Sequence, residues 1–187
     1  MIAVRVVVAT ANAHKLDELR QLLPGIELTG LDGAERPRED GGTYEANARI
    51  KARWARGHAP KAAWALGEDS GLEAHGLGGR PGVHSARWAD DGVACLLSAL
   101  EGVVDRGARY RCTIVAIAPD GREAVAEGTL DGRIEGPPRG DGGFGYDPVF
   151  VPSGEVRTVA ELGDQWKREH SHRARAAGAI AALLHDS

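Results

Sequence analysis

The sequence predicts one α/β domain over residues 1–187, a mixed sheet with flanking helices and two lobes. Three observations carry that expectation. The chain opens on an apolar run feeding a helical pattern, its middle third alternates as strands do, and it closes on a second helical pattern. With 187 residues, 42% hydrophobic and 27% charged, the chain can bury a real core and is too apolar to be disordered. A formal net charge of −4 argues against a general electrostatic grip on nucleic acid. Any anionic substrate must therefore be held by local basic groups.

The elements follow in order. Met1–Ala9 is apolar, short and interrupted by Arg5, which fits a buried first strand and neither a signal peptide nor a membrane span. Thr10-Ala11-Asn12-Ala13-His14-Lys15 leads into a helix with Leu16, Leu19, Leu22 and Leu23 on one face. Asn12 is its expected N-cap and Pro24-Gly25 its stop. A second strand is expected over Ile26–Leu31. After the polar stretch Arg36–Gly42, Thr43 caps a helix through Ala46, Ile50 and Trp54, with Asn47 and Lys51 one turn apart on one face. Pro60 ends that helical unit.

Ala62–Leu66 then reads as a short buried strand ending at Gly67-Glu68-Asp69-Ser70-Gly71. Two adjacent acids would thus stand where a sheet edge opens to ligands, although the same residues also suit a solvated turn. Gly76–Gly82 is loop, and a helix is expected over about Gly92–Glu101. Arg109–Ala118 and Glu123–Leu130 flank Pro119-Asp120-Gly121, a hairpin signal. A separate piece over Gly132–Glu135 and the run Val149–Val151 extend the sheet, and a helix closes the chain over His172–Leu184. Cys95 and Cys112 belong to no C-x-x-C pattern, which fits free thiols in a reducing cytoplasm and not a zinc or disulfide scaffold.

Several of these residues could carry chemistry. Strand, small polar loop, helix N-terminus and Lys15 make a phosphate-cradling arrangement without the Walker A spacing. Glu39, Glu68 and Asp69 could meet on one magnesium ion, and Asp69 could be the base for an attacking water. For Glu39, spacing alone favours a solvated loop charge over a ligand. Lys51, Lys167 and Arg173 are scattered cations of a kind that usually face solvent. His172 has a rival reading as a capping or packing residue. Phe144 and Tyr146, among Gly142, Gly143 and Gly145, could stack a base or simply fill core. Ser70 lacks the context of a serine nucleophile.

Together, T-A-N-A-H-K from Thr10, E-D-S-G-L from Glu68, L-G-G-R-P-G from Leu77, S-A-R from Ser85, G-F-G-Y-D-P from Gly143 and S-H-R from Ser171 form an ordered set. By these motifs the chain resembles the ITP/XTP pyrophosphatase family over essentially its whole length. The resemblance implies an elongated, twisted α/β sheet with two lobes around a central cleft, and a homodimer. It also implies Mg2+-dependent hydrolysis of ITP, dITP or XTP to the monophosphate and pyrophosphate.

Carried over by position, Thr10, Ala11, Asn12, Ala13, His14 and Lys15 would hold phosphates, with Lys51 and Lys167 neutralising them. Glu39, Glu68 and Asp69 would serve the metal, Asp69 would accept the proton, and Ser70 would contact substrate. Phe144, Gly145, Tyr146, Asp147, His172 and Arg173 would enclose the base, with a donor such as Arg173 favouring a 6-keto purine. Three departures stand out: Ala11 for the usual glycine, Glu68 for the more frequent aspartate, and Trp166 and Arg168 around Lys167. A non-catalytic nucleotide-binding module on the same fold is the alternative.

Overall fold

The structure, a computed structural model, describes residues 4–10, 12–31 and 37–185. Among the described residues six strands form one mixed sheet: β1 (Val4–Ala9), β2 (Ile26–Gly30), β3 (Trp64–Ala74), β4 (Gly107–Ile117), β5 (Glu123–Ile134) and β6 (Phe150–Pro152). Their spatial order is β2-β1-β3-β4-β5-β6. The α-helices of the same residues are α1 (Ala13–Leu22), α2 (Tyr44–His58), α3 (Gly92–Ala99), α4 (Val159–His170) and α5 (His172–His185).

The expected caps are present. Asn12 Oδ1 accepts from the Lys15 amide at 3.3 Å, and Thr43 Oγ1 accepts from the Ala46 amide at 3.1 Å. Each satisfies one of the orphan donors of a first helical turn.

Two expectations are corrected, and one helix is added. β3 does not stop before its acids; it runs on to Ala74, so Glu68 to Gly71 lie inside a strand and not in a turn. The piece over Gly132–Glu135 is no separate strand, because β5 is continuous from Glu123 to Ile134. Helix α4, absent from the sequence reading, is secured by a capping box: Thr158 Oγ1 accepts from the Glu161 amide, and Glu161 Oε2 accepts from the Thr158 amide at 2.8 Å. The helix is broken at Gly163, which interrupts its periodicity.

The chain divides into two compact units. The first comprises residues 1–69, 112–128 and 173–187, and the second residues 70–111 and 129–172. In the first, β1 runs parallel to both β2 and β3, with Val8 opposite Leu66 and Ala9 opposite Gly67. Alternate residues bury opposite faces of the sheet. Val6, Val8, Leu66, Cys112 and Ile114 pack with Leu19 of α1, with its C-cap Leu23, and with Ala176, Ala177 and Ile180 of α5. Ala65, Val115 and Ile117 pack with Ala48, Ala52 and Ala55 of α2.

The alanines let α2 lie close to the sheet, and Gly67 marks the closest approach. A Cβ there would overlap the Ala48 carbonyl oxygen and stand 2.8 Å from Cβ of Lys51. In the second unit, Leu72, Ala74, Leu96, Leu100, Ala108, Tyr110, Leu130, Ile134, Phe150 and Val159 form one core. Among the described residues no helix is long and apolar enough to cross a membrane.

Candidate active site

β3 presents Glu68 and Asp69 side by side in sequence, and hence on opposite faces of the sheet. Each acid meets cations from the helices covering its own face. Glu68 is 1% exposed; its Oε2 accepts from Lys15 Nζ at 2.8 Å, and its Oε1 accepts from Arg173 Nη2 at 3.0 Å and Nε at 3.3 Å. The Cys112 thiol also donates to Oε1, at 3.3 Å. Arg173, 2% exposed, extends its Nη1 to Glu18 on α1. Burial opposes the ionisation of Glu68, but Lys15, Arg173 and Lys51 outweigh it and hold the carboxyl well below its usual range. The same burial, with Glu68 alongside, pushes the Cys112 thiol up, which keeps it protonated as a donor.

The parallel register explains the meeting with Lys15. Because Ala9 lies opposite Gly67, the chain leaving β1 passes into α1 next to Glu68, and Lys15 in the first turn of α1 reaches it. Thr10 Oγ1 accepts from the Asn12 amide at 3.2 Å, while Ala13 and His14 are exposed in the first helical turn. Ala11 lies outside the described residues.

On the other face, Asp69 Oδ1 accepts from Lys51 Nζ at 2.9 Å and Oδ2 accepts from Asn47 Nδ2 at 3.1 Å. Both partners come from the face of α2 that the sequence spacing picked out. Lys51 also donates to Glu39 Oε2 at 2.9 Å, and the Gly41 amide donates to Asn47 Oδ1 at 2.9 Å. The loop carrying Glu39 is thereby tied to the helix that holds Asp69. Burial raises the Asp69 carboxyl above its usual range despite Lys51, so it is a stronger base than an exposed aspartate. Burial opposes the Lys51 charge, but Asp69, Glu68 and Glu39 raise that ammonium on balance.

Of the three acids expected on one ion, the structure brings Glu39 and Asp69 together on one ammonium. Glu68 sits on the opposite face of β3 with its own cations. Oxygen donors gathered around one positive charge suit a hard divalent ion, which takes one or two protein carboxylates and keeps its waters. Among the described residues no cluster of three or more histidine, cysteine, aspartate or glutamate side chains is poised to cage a metal.

The second unit holds the other set. The Phe144–Pro148 segment folds back on Asp147, whose Oδ2 accepts from the Phe144 amide at 3.0 Å and from Lys167 Nζ at 2.8 Å. Gly143 has φ 70°, and a Cβ there would collide with the Asp147 carboxylate, so the turn requires glycine. Lys167 Nζ lies 4.6 Å from the centroid of the Phe144 ring. Gly145 and Tyr146 lie in the same turn, and the Tyr146 hydroxyl donates to the Ser85 carbonyl at 3.0 Å. Burial pushes the Tyr146 phenol up to about 12. Ser70 follows Asp69 on β3 and is half-buried.

Lys167, expected on the phosphates, is thus bound to Asp147 and Phe144 in the second unit. Arg173, expected at the base, has its guanidinium on Glu18 and Glu68 in the first. His172, buried at the start of α5, stacks on Tyr110 of β4 with ring centroids 4.6 Å apart and planes 5° from parallel. Sequence reasoning passed over Glu18, Asn47, Tyr110 and Cys112 as site residues. Glu18 and Asn47 each lie one helical turn from a site lysine, which is a usable signal. Tyr110 and Cys112 sit in an ordinary strand pattern and give none.

Comparison with known proteins finds relatives over nearly the whole chain. The family model of the Ham1 family matches residues 6–183. The chain is 48% identical to the dITP/XTP pyrophosphatase of Symbiobacterium thermophilum, covering 92% of this chain and 90% of that one. It is 44% identical to the dITP/XTP pyrophosphatase of Leifsonia xyli, covering 97% and 96%. Among solved structures, the Staphylococcus aureus Ham1 protein superposes with a TM-score of 0.86 at 32% identity, covering 97% of this chain and 98% of that one. A dITP/XTP pyrophosphatase from Mycobacterium abscessus gives a TM-score of 0.74 at 39% identity, covering 96% and 99%.

Proposed function

The chain belongs to the Ham1 family, and from that premise we propose that it hydrolyses noncanonical purine nucleoside triphosphates, ITP, dITP and XTP, to the monophosphate and pyrophosphate. The observation that carries this reading is Asp69: a buried carboxylate raised in basicity, fixed by Asn47 and Lys51 and paired through Lys51 with Glu39. That is the environment a general base for water requires. Asp69 takes the proton of the attacking water on a carboxylate oxygen, while Asn47 keeps that carboxylate oriented.

Glu39 and Asp69 would hold Mg2+, which when bound supplies charge neutralisation to the triphosphate. Lys15, Lys51 and the N-terminus of α1, with Thr10, Asn12, Ala13 and His14, bind the phosphates. Glu68, kept ionised, anchors Lys15 and Arg173 and so maintains this cationic set. Phe144, Gly145, Tyr146, Asp147, Lys167 and His172 receive the base. Donors from Lys167 and His172 favour a 6-keto oxygen over the amino group of adenine, and a site built to hydrogen-bond can discriminate by roughly 10⁴-fold.

The protein acts as a homodimer in the cytoplasm, clearing the nucleotide pool. Its two free cysteines and net charge of −4 support a reducing compartment and no nucleic-acid partner. A substrate panel tests the activity. Pyrophosphate release is expected from ITP, dITP and XTP with Mg2+, strongly reduced with ATP and abolished by chelator. Equal rates on ATP, or turnover insensitive to chelator, would contradict it.

A further inference from the structure

We propose that Tyr110 is a positioning residue for the base-receiving set, fixing His172 with its ring and Asp147 with its hydroxyl; this rests on the reading that the second unit's residues take the base. Tyr110 is buried on β4, and its two ends do different work. Its ring lies parallel to the His172 imidazole at 4.6 Å and is braced by Phe150, tilted 51° with centroids also 4.6 Å apart. Its hydroxyl donates to Asp147 Oδ1 at 3.1 Å.

Asp147 spends its other oxygen on Lys167 and on the Phe144 amide. A carboxylate whose Oδ2 serves two donors can still turn about its own axis, and a third donor on Oδ1 stops that rotation. One side chain therefore sets the plane of the imidazole, the rotamer of the carboxylate and, through it, the placing of Lys167 over Phe144. None of these links involves the acids of the first unit. Tyr110 should consequently govern how well substrate binds and not how fast the bound substrate reacts.

Two variants separate the two ends. Tyr110→Phe keeps the stack and loses the hydroxyl, whereas Tyr110→Leu loses both and retains apolar bulk. With XTP and Mg2+, KM is expected to rise about ten-fold in Tyr110→Phe, as loss of a hydrogen bond to a charged group implies, and further in Tyr110→Leu. The kcat should stay within about two-fold in both, since such a mutation removes binding that the ground and transition states share equally. Unchanged KM with only a lowered melting temperature, or a fall in kcat at constant KM, would overturn the proposal.

A second measurement needs no turnover. In histidine-labelled protein, the His172 ring protons, assigned by their absence in His172→Asn, are expected upfield from stacking on Tyr110. The shift should persist in Tyr110→Phe and vanish in Tyr110→Leu. A His172 signal without that shift in the unmodified protein would refute the positioning even if the nucleotide activity itself failed.

Discussion

At the scale of single residues, the two adjacent acids have opposite electrostatic fates and make opposite contributions. Glu68 has its carboxyl depressed below the ordinary value of 4.5, so the stability it contributes is present above that value and is lost as pH falls through the depressed one. Urea midpoints followed from about pH 6 to about pH 3 should show a steep acid limb that flattens in Glu68→Gln. That substitution also removes the carboxylate charge that faces Lys15, and it takes Glu68 from Arg173 while Glu18 stays. Removing one partner of a buried pair costs about 3–5 kcal/mol, measurable by denaturant unfolding near neutral pH. Asp69, raised by burial, has the reverse sign: its ionisation above the raised value costs stability and is the form that accepts a proton. Activity should therefore rise with pH through that titration, a limb that a pH–rate profile of kcat/KM reads directly.

At the scale of elements, the site depends on how closely α2 lies on β3. Gly67→Ala places a methyl group against the backbone of α2 at Ala48 and Ala52, so the helix must lift. Overpacking of this kind costs about 1–3 kcal/mol. Because Asn47 and Lys51 ride on α2, activity should fall more than stability suggests, by about 10²-fold for a misplacement near 1 Å. Thermal melts beside pyrophosphate assays on the variant would show it. Thr158→Ala should unseat the start of α4 and cost about 1–2 kcal/mol in unfolding measurements. That cap was legible in the sequence as T-x-x-E, but the break at Gly163 disrupted the helical period that would have drawn attention to it. β3 was cut short for a different reason. Gly67, Glu68, Ser70 and Gly71 are poor strand formers, and two acids are unexpected inside a buried strand. They are tolerated because Lys15, Lys51 and Arg173 arrive from three helices distant in sequence, and no local pattern encodes that supply.

At the scale of the molecule, the fold class was readable because its signals are local: apolar runs, caps and turn residues. The motifs were readable as a set because they keep their order along the chain. What a one-dimensional reading could not supply was side. Glu68 and Asp69 look like one acidic cluster in sequence, yet strand geometry assigns one to α1 and α5 and the other to α2. The same holds for His172 and Arg173, neighbours at the start of α5, of which one stacks in the second unit and the other is buried among carboxylates of the first. An acidic chain of net charge −4 thereby gathers Lys15, Lys51 and Arg173 around carboxylates that are themselves drawn from separate elements.

The central claim is that Asp69 is the proton acceptor for water attacking a noncanonical purine triphosphate. Its most direct test is pyrophosphate release from XTP with Mg2+, comparing the unmodified protein with Asp69→Asn at saturating substrate. The expected result is release by the unmodified protein and a fall in kcat of about 10²–10⁴-fold in the variant, with nucleotide binding retained. Pyrophosphate release by Asp69→Asn at the unmodified rate, or none from the unmodified protein, would contradict it.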